Sequence, residues 1–212
     1  MNLPKSHIMG VLIVLLLGLG TPLFGLKPAF LELELLFGPG FPLGTMQDRI
    51  DATLIPKPDG LQEFKVGARG AWYFLPYLGV EGFAQAGEIA AASEKTSTPL
   101  SVIDDSSWGV GPVGRAILPL SDVSYLSFMA SGGVTVHTMS WNNDYTSLFP
   151  GEIFADLAPK PGFYGKAGME IRGWNVTFGV SVMYERIPVT LSNGTDLSTD
   201  CWTVPLELGL AF

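Results

Sequence analysis

The chain has 212 residues, 47% of them hydrophobic, and sets 12 basic against 20 acidic side chains for a formal charge of −8. That length bounds a single domain with room for a short removable segment, and a mean hydropathy of +0.33 is apolar for a water-soluble protein of this size. The acidic balance argues against nucleic acid or an anionic leaflet as a partner, and the single cysteine, Cys201, excludes an intrachain disulfide.

The only continuous apolar block runs over 8–19, with Lys5 and His7 before it and Gly-Thr-Pro-Leu-Phe-Gly at 20–25 after it. This is the shape of a helical secretory signal peptide, too short to span a bilayer comfortably. Cleavage is expected after Gly25, so that 1–25 is the signal and 26–212 the mature domain, although Leu23 departs from the small-residue rule of the cleavage site. An uncleaved anchor is the alternative. Cleavage would remove one of the 12 basic side chains, Lys5, and no acidic one, leaving 11 against 20 and a formal charge of −9. No cysteine follows the block to take a lipid anchor.

Beyond it the chain alternates in twos, the signature of strands with one apolar and one small or polar face. The first strand, 29–37, puts Glu32 and Glu34 on one face, and Gly38-Pro39-Gly40-Phe41-Pro42 is expected to break it. Strands follow at 61–74, 77–89, 107–118, 123–137, 162–172 and 176–186. Pro112 is awkward inside the fourth and suggests a bulge. The last strand, 201–212, sets Trp202, Val204, Leu206, Leu208, Leu210 and Phe212 against Cys201, Thr203, Glu207, Gly209 and Ala211. Turns at 75–77, 119–122 and 173–175 are short. The connections at about 39–60, 90–106, 139–161 and 187–200 are long.

Eight strands with every long loop after an odd strand give an all-β, antiparallel up-and-down barrel, with the loops at one end and the short turns and both termini at the other. Alternation alone does not say which face is inside: a soluble lipocalin-like barrel is apolar within, a transmembrane barrel apolar without. The polar face decides. It mixes isolated charges with many glycines, as a narrow side-chain-filled lumen requires, whereas the apolar face carries no charge in the strand interiors, as hydrocarbon requires. The lumen is therefore expected to hold Glu32, Glu34, Glu63, Glu81, Glu170, Glu185 and Glu207 against Lys65, Arg69, Arg115, Lys166 and Arg172, near balance and paired. Aromatics gather at two levels, Trp72, Phe74, Tyr77, Tyr125, Trp174 and Phe212 toward the turns and Phe37, Trp108, Trp141, Phe163, Tyr184 and Trp202 toward the loops.

Chemistry finds little support. His137 is the only histidine beyond the signal, and Ser140 or Asp144 would have to complete any hydrolase; His137 and Ser140 point to opposite faces if the strand runs that far. One histidine and one cysteine give no transition-metal site and no cofactor is expected. Asp104-Asp105 and Asn142-Asn143-Asp144 read as solvated loop acids rather than a calcium site. The glycines of 109–114 lie inside a strand with no helix after them, so they form no phosphate loop. The sequons at Asn175 and Asn193 mean nothing without a glycosylating host.

Pro76-Tyr77-Leu78-Gly79-Val80, Ser107-Trp108-Gly109-Val110-Gly111 and Ser121-Asp122 are similar to segments of OmpW-like proteins, and the whole mature pattern resembles the eight-stranded outer-membrane barrels of the OmpA, OmpX and OmpW type. Pro205 departs from that pattern. The resemblance implies a bacterial outer-membrane location with periplasmic termini, surrounding lipid as partner, a monomer, and Phe212 as the aromatic residue read by barrel-assembly machinery. Two functions stay open. One is a structural or surface barrel, its lumen closed by ion pairs and its acidic loops contacting host surface molecules. The other is a conduit for small hydrophobic molecules, for which Phe83, Met129 and Met183 are the inward apolar residues that could line a pocket. A lipid-modifying enzyme is a distant third.

Overall fold

A computed structural model describes residues 30–43, 60–93, 96–143, 157–159, 161–187, 189–191 and 199–212. Strand β1 is Leu31–Leu43, β2 Gly60–Leu75, β3 Leu78–Ser93, β4 Thr96–Ser121, β5 Ser124–Trp141, β6 Leu157–Pro159, β7 Pro161–Gly173, β8 Val176–Ile187, β9 Val189–Leu191, β10 Thr199–Thr203 and β11 Leu206–Ala211. All pairings are antiparallel. β1 to β5, β7 and β8 follow one another round a ring, and β10 with β11 forms the eighth stave, bonded to β8 on one side and β1 on the other. The expected eight-stranded up-and-down barrel is the observed fold; the signal segment and the cleavage site lie outside the described residues.

The stagger of the ring follows from its registers. Leu33 faces Gly70, which faces Gly82, and the line continues through Val110, Val134, Phe163, Arg186 and Asp200 to Leu43, ten residues along the strand on which it began. Eight strands with this stagger tilt by roughly 40° and enclose an interior that side chains alone can fill. Two-residue turns close the near end at Pro76-Tyr77, Asp122-Val123 and Trp174-Asn175. Trp174 takes a φ of 54°, a region that glycine normally occupies.

Strands run further than composition suggests. The expected break at 38–42 is part of β1, and most of the polar stretch 90–106 belongs to β3 and β4. Prolines fail to break the ladder because each removes one donor without displacing the chain. Thr203 faces Gly40 and Leu206 faces Phe37, so the register is unchanged across Pro205. Val204 N–H donates to Pro39 O at 3.0 Å and Ser181 N–H to Pro205 O at 3.1 Å, and neither proline can return the reciprocal bond. Gly38 accommodates that seam, since a Cβ there would lie 2.9 Å from Pro205 Cα. Pro112 likewise produces no bulge: Val110 faces Val134 and Val113 faces Ser131 in one register. Beyond the rim β6 and β9 pair, with Pro159 facing Val189, one residue short of where the β7–β8 register would put it.

Candidate functional site in the barrel lumen

Period-two geometry sends alternate side chains into the lumen, and there the charged ones are buried. Eight acids, Glu32, Glu34, Glu63, Glu81, Asp105, Glu170, Glu185 and Glu207, share it with five bases, Lys65, Arg69, Arg115, Lys166 and Arg172. The expected near balance is thus an acidic excess of three among the described residues, because Asp105 joins the inward face once β4 is extended.

At the turn end an aromatic and arginine layer closes the barrel. Arg115 stacks its guanidinium 3.6 Å over the Tyr73 ring, donates from Nε to Pro76 O at 2.8 Å and pairs with Glu32. Arg172 has no carboxylate partner among the described residues; it donates to Tyr125 Oη (3.0 Å), Trp174 O (2.7 Å) and Ala211 O (3.2 Å), tying the last turn to the closing strand. Tyr125 itself points inward, correcting its expected place among the outer aromatics.

Above that layer Arg69 is the hub. It donates from Nη1 to Glu34 at 2.5 Å and from Nε to Glu81 at 2.7 Å, with Glu32 at 3.8 Å. Thr177 Oγ1 donates to Glu34 at 3.2 Å, and Tyr164 Oη to Glu81 at 3.0 Å. Lys166 donates to Glu207 at 3.1 Å, which also accepts from Ser181 at 2.5 Å, and it lies 3.8 Å from Glu81. Glu170, although brought into the same chamber, has no hydrogen-bond partner on either oxygen.

An apolar septum crosses the lumen next. Leu36, Phe83, Tyr164 and Met183 form one buried cluster, with the rings of Phe83 and Tyr164 edge to face at 5.0 Å between centroids. Gly109 makes room for it: a Cβ there would stand 2.5 Å from Phe83 Cζ and 2.6 Å from Cε1. Gly109→Val is accordingly expected to lower stability by about 1–3 kcal/mol through overpacking, read as a reduced urea midpoint of the refolded barrel, whereas Phe83→Leu in the same background should recover part of the loss. Of the three expected pocket residues, Phe83 and Met183 meet in the septum. Met129 does not join them; its Sδ lies 3.7 Å from Arg69 Nη2 and 3.8 Å from Tyr73 Oη, below.

Toward the loops a second charged cluster surrounds Lys65, whose Nζ lies 2.7 Å from Glu185, 3.5 Å from Glu63 and 3.7 Å from Asp105. Gln85 donates to both oxygens of Glu185 at 3.1 and 3.0 Å. His137 Nδ1 is 3.2 Å from both Asp105 oxygens, and its Nε2 is 3.7 Å from Glu185. Cys201 donates to Glu63 at 3.0 Å. Ile89, Ile103, Met139 and Ile187, all buried, mark the loop-end limit. Ser140 faces away from His137, and Asp144 lies outside the described residues, so the sketched hydrolase is not assembled. Among the described residues no three His, Cys, Asp or Glu side chains could hold a metal ion.

Asp105, His137, Gln85, Cys201 and the lumen tyrosines were not singled out as lumen residues from sequence. Their signal was present: Asp105 and Ser107 share parity with Arg115, and His137 with Met129.

The outer face is the inverse. Leu35 is 60% exposed, and Leu33, Val66, Val80, Val110, Val134, Met169, Phe178 and Leu208 also face outward. Aromatics bracket this band, with Phe30, Trp72, Phe74, Tyr77, Trp174 and Phe212 at the turn end and Phe41, Phe64, Trp108, Phe163, Tyr184 and Trp202 toward the loops. Phe163, Tyr184 and Trp202 stack in a row at 6.1 and 5.2 Å. Among the described residues the outward charges are Glu88, Asp104, Arg186 and Asp200 near the loop end and Asp122 in a turn.

No family model and no curated protein sequence matches the chain. Among solved structures it is similar to that of Ail, the attachment invasion locus protein of Yersinia pestis, at 13% identity over 88% of this chain and 100% of that one, with a TM-score of 0.44. The outer membrane protein OprG from Pseudomonas aeruginosa is similar at 11% identity over 87% and 97%, with a TM-score of 0.45. Ail in complex with the heparin analogue sucrose octasulfate gives 14%, 88%, 100% and 0.42.

Proposed function

We propose that the protein is an integral outer-membrane β-barrel with a plugged lumen, whose role is structural or lies in surface contacts made at its loop end. One observation carries the reading: the polarity is inverted, with eight acids, five bases and His137 buried inside and a continuous belt of large apolar side chains outside. In water that belt would be a liability far larger than the patches monomeric proteins expose. In a bilayer it is the lipid-facing surface, and its aromatic brackets sit at the two interfaces. The outward charges Glu88, Asp104, Arg186 and Asp200 then lie in the headgroup region on the loop side, and the turns and termini face the periplasm.

The layering of the lumen favours a plug over a conduit. Arg115 and Arg172 close the turn end, the Phe83–Tyr164 septum closes the middle, and Met129 is separated from the septum residues rather than lining a shared apolar pocket with them. The reading assigns no catalytic step. The purified chain is expected to need detergent for solubility, to migrate faster in gel electrophoresis when unheated than when boiled, and to stay silent in planar bilayers. A chain that remains soluble and monomeric without detergent would overturn the membrane reading; discrete channel openings would overturn the plug alone.

A further inference from the structure

We infer that Glu170, Ser127 and Glu32 form a buried site for a small monovalent metal ion of the sodium class. Ser127 on β5 and Glu170 on β7 are direct cross-strand partners on the inward face, and both are 0% exposed. Ser127 Oγ, both carboxylate oxygens of Glu170 and Glu32 Oε2 have no hydrogen-bond partner among the described residues. Gly179, the partner of Glu170 on β8, lies two residues from Thr177, whose hydroxyl donates to Glu34 on β1, which brings Glu170 into the chamber of Glu34 and Glu32. Glu32 Oε2 lies 3.8 Å from Arg69 Nη1, so the three oxygens left with neither a donor nor a cation among the described residues are those of Glu170 and Ser127, a condition that costs free energy unless a cation or ordered water meets it.

The protein's own cations are already engaged. Arg69 is held by Glu34 and Glu81, Lys166 by Glu207, and Arg172 by Tyr125 and two backbone carbonyls. Arg115 is committed to Glu32 Oε1, Pro76 O and the Tyr73 ring. The donor set also fixes the class of ion. All the donors are hard oxygens, which disfavours the softer transition ions, and Glu32 is already paired with Arg115 through Oε1, so the one uncompensated negative charge of the donor set is that of Glu170, which a monovalent ion balances. The inference depends on the barrel fold and not on its membrane location.

The test is urea unfolding of the full chain refolded in detergent, in sodium chloride against choline chloride at equal ionic strength. An ion bound only by the folded barrel should lower the unfolding equilibrium constant about tenfold at ten times its dissociation constant. Wild type should show this saturable sodium effect, Glu170→Gln should lose it, and Ser127→Ala should need more sodium to reach it. Because the readout is the difference between salts, a general change of stability in either variant does not imitate it. Identical wild-type midpoints in the two salts, as a protonated Glu170 would give, overturn the site, as does a full sodium effect surviving in Glu170→Gln. If Glu170→Gln does not fold, crystals of wild type grown in sodium chloride and in choline chloride decide: an ion with short metal–oxygen contacts between Glu170 and Ser127 in sodium chloride only supports the site, and its absence there overturns it.

Discussion

Arg69→Ala is expected to abolish refolding to the compact, heat-modifiable form or to cost about 3–5 kcal/mol where a folded fraction survives, because removing one partner of a buried ion pair leaves the others uncompensated. The guanidinium sits between Glu34 at 2.5 Å and Glu81 at 2.7 Å, with Glu32 at 3.8 Å, all of them buried. Its loss would raise the acidic excess of the lumen and leave two carboxylates without their strongest donor. Arg69→Lys keeps the charge but cannot serve both carboxylates with a planar fork, so its stability should fall between wild type and alanine. Arg69→Met combined with Glu34→Gln and Glu81→Gln removes the charges together and should recover most of the loss. Urea midpoints of wild type, these three variants and Arg69→Met alone decide the matter. If Arg69→Met alone is as stable as the triple variant, the arginine acts by filling space and the charge account fails.

Which face each strand residue occupies was legible in the sequence, because period-two alternation is indifferent to where a strand ends. Glu32, Glu34, Arg69, Glu81, Arg115, Lys166, Glu170, Arg172, Glu185 and Glu207 all point inward as their parity requires. Their partners were not legible. Glu34 meets Arg69 on the adjacent stave, but Lys65 reaches across the lumen to Glu185, and that meeting depends on a stagger no single strand encodes. Strand ends were obscured by composition. The Ser, Thr and Asp of 90–106 imitate a loop, and Pro39 and Pro42 imitate a stop, yet a stave already bonded on both sides loses only one donor at each proline. Asp105 was missed for that reason, and with it the hydrogen-bonded partner of His137.

Leu35→Arg, whose cross-strand partners Ala68 and Leu208 lie between the two aromatic brackets, should destabilise the barrel by about 2–4 kcal/mol in a bilayer, and Val134→Arg, paired with Phe163 of the loop-end bracket, by somewhat less. Both point away from the lumen and are more than half exposed, at 60% and 55%, so neither substitution disturbs the packed interior. On a water-soluble barrel the same exposed positions would accept arginine within about 0.5 kcal/mol. The two environments therefore predict different outcomes for one measurement. Val123→Arg is the internal control: it is also an exposed apolar residue, but it sits in the two-residue turn beside Asp122, at the level of the interface, where arginine should cost only about 0–1 kcal/mol. Reversible urea unfolding in lipid vesicles gives all three values on one scale. A cost that falls from Leu35 and Val134 to Val123 places the apolar band in hydrocarbon, and equal small costs at all three would place it in water.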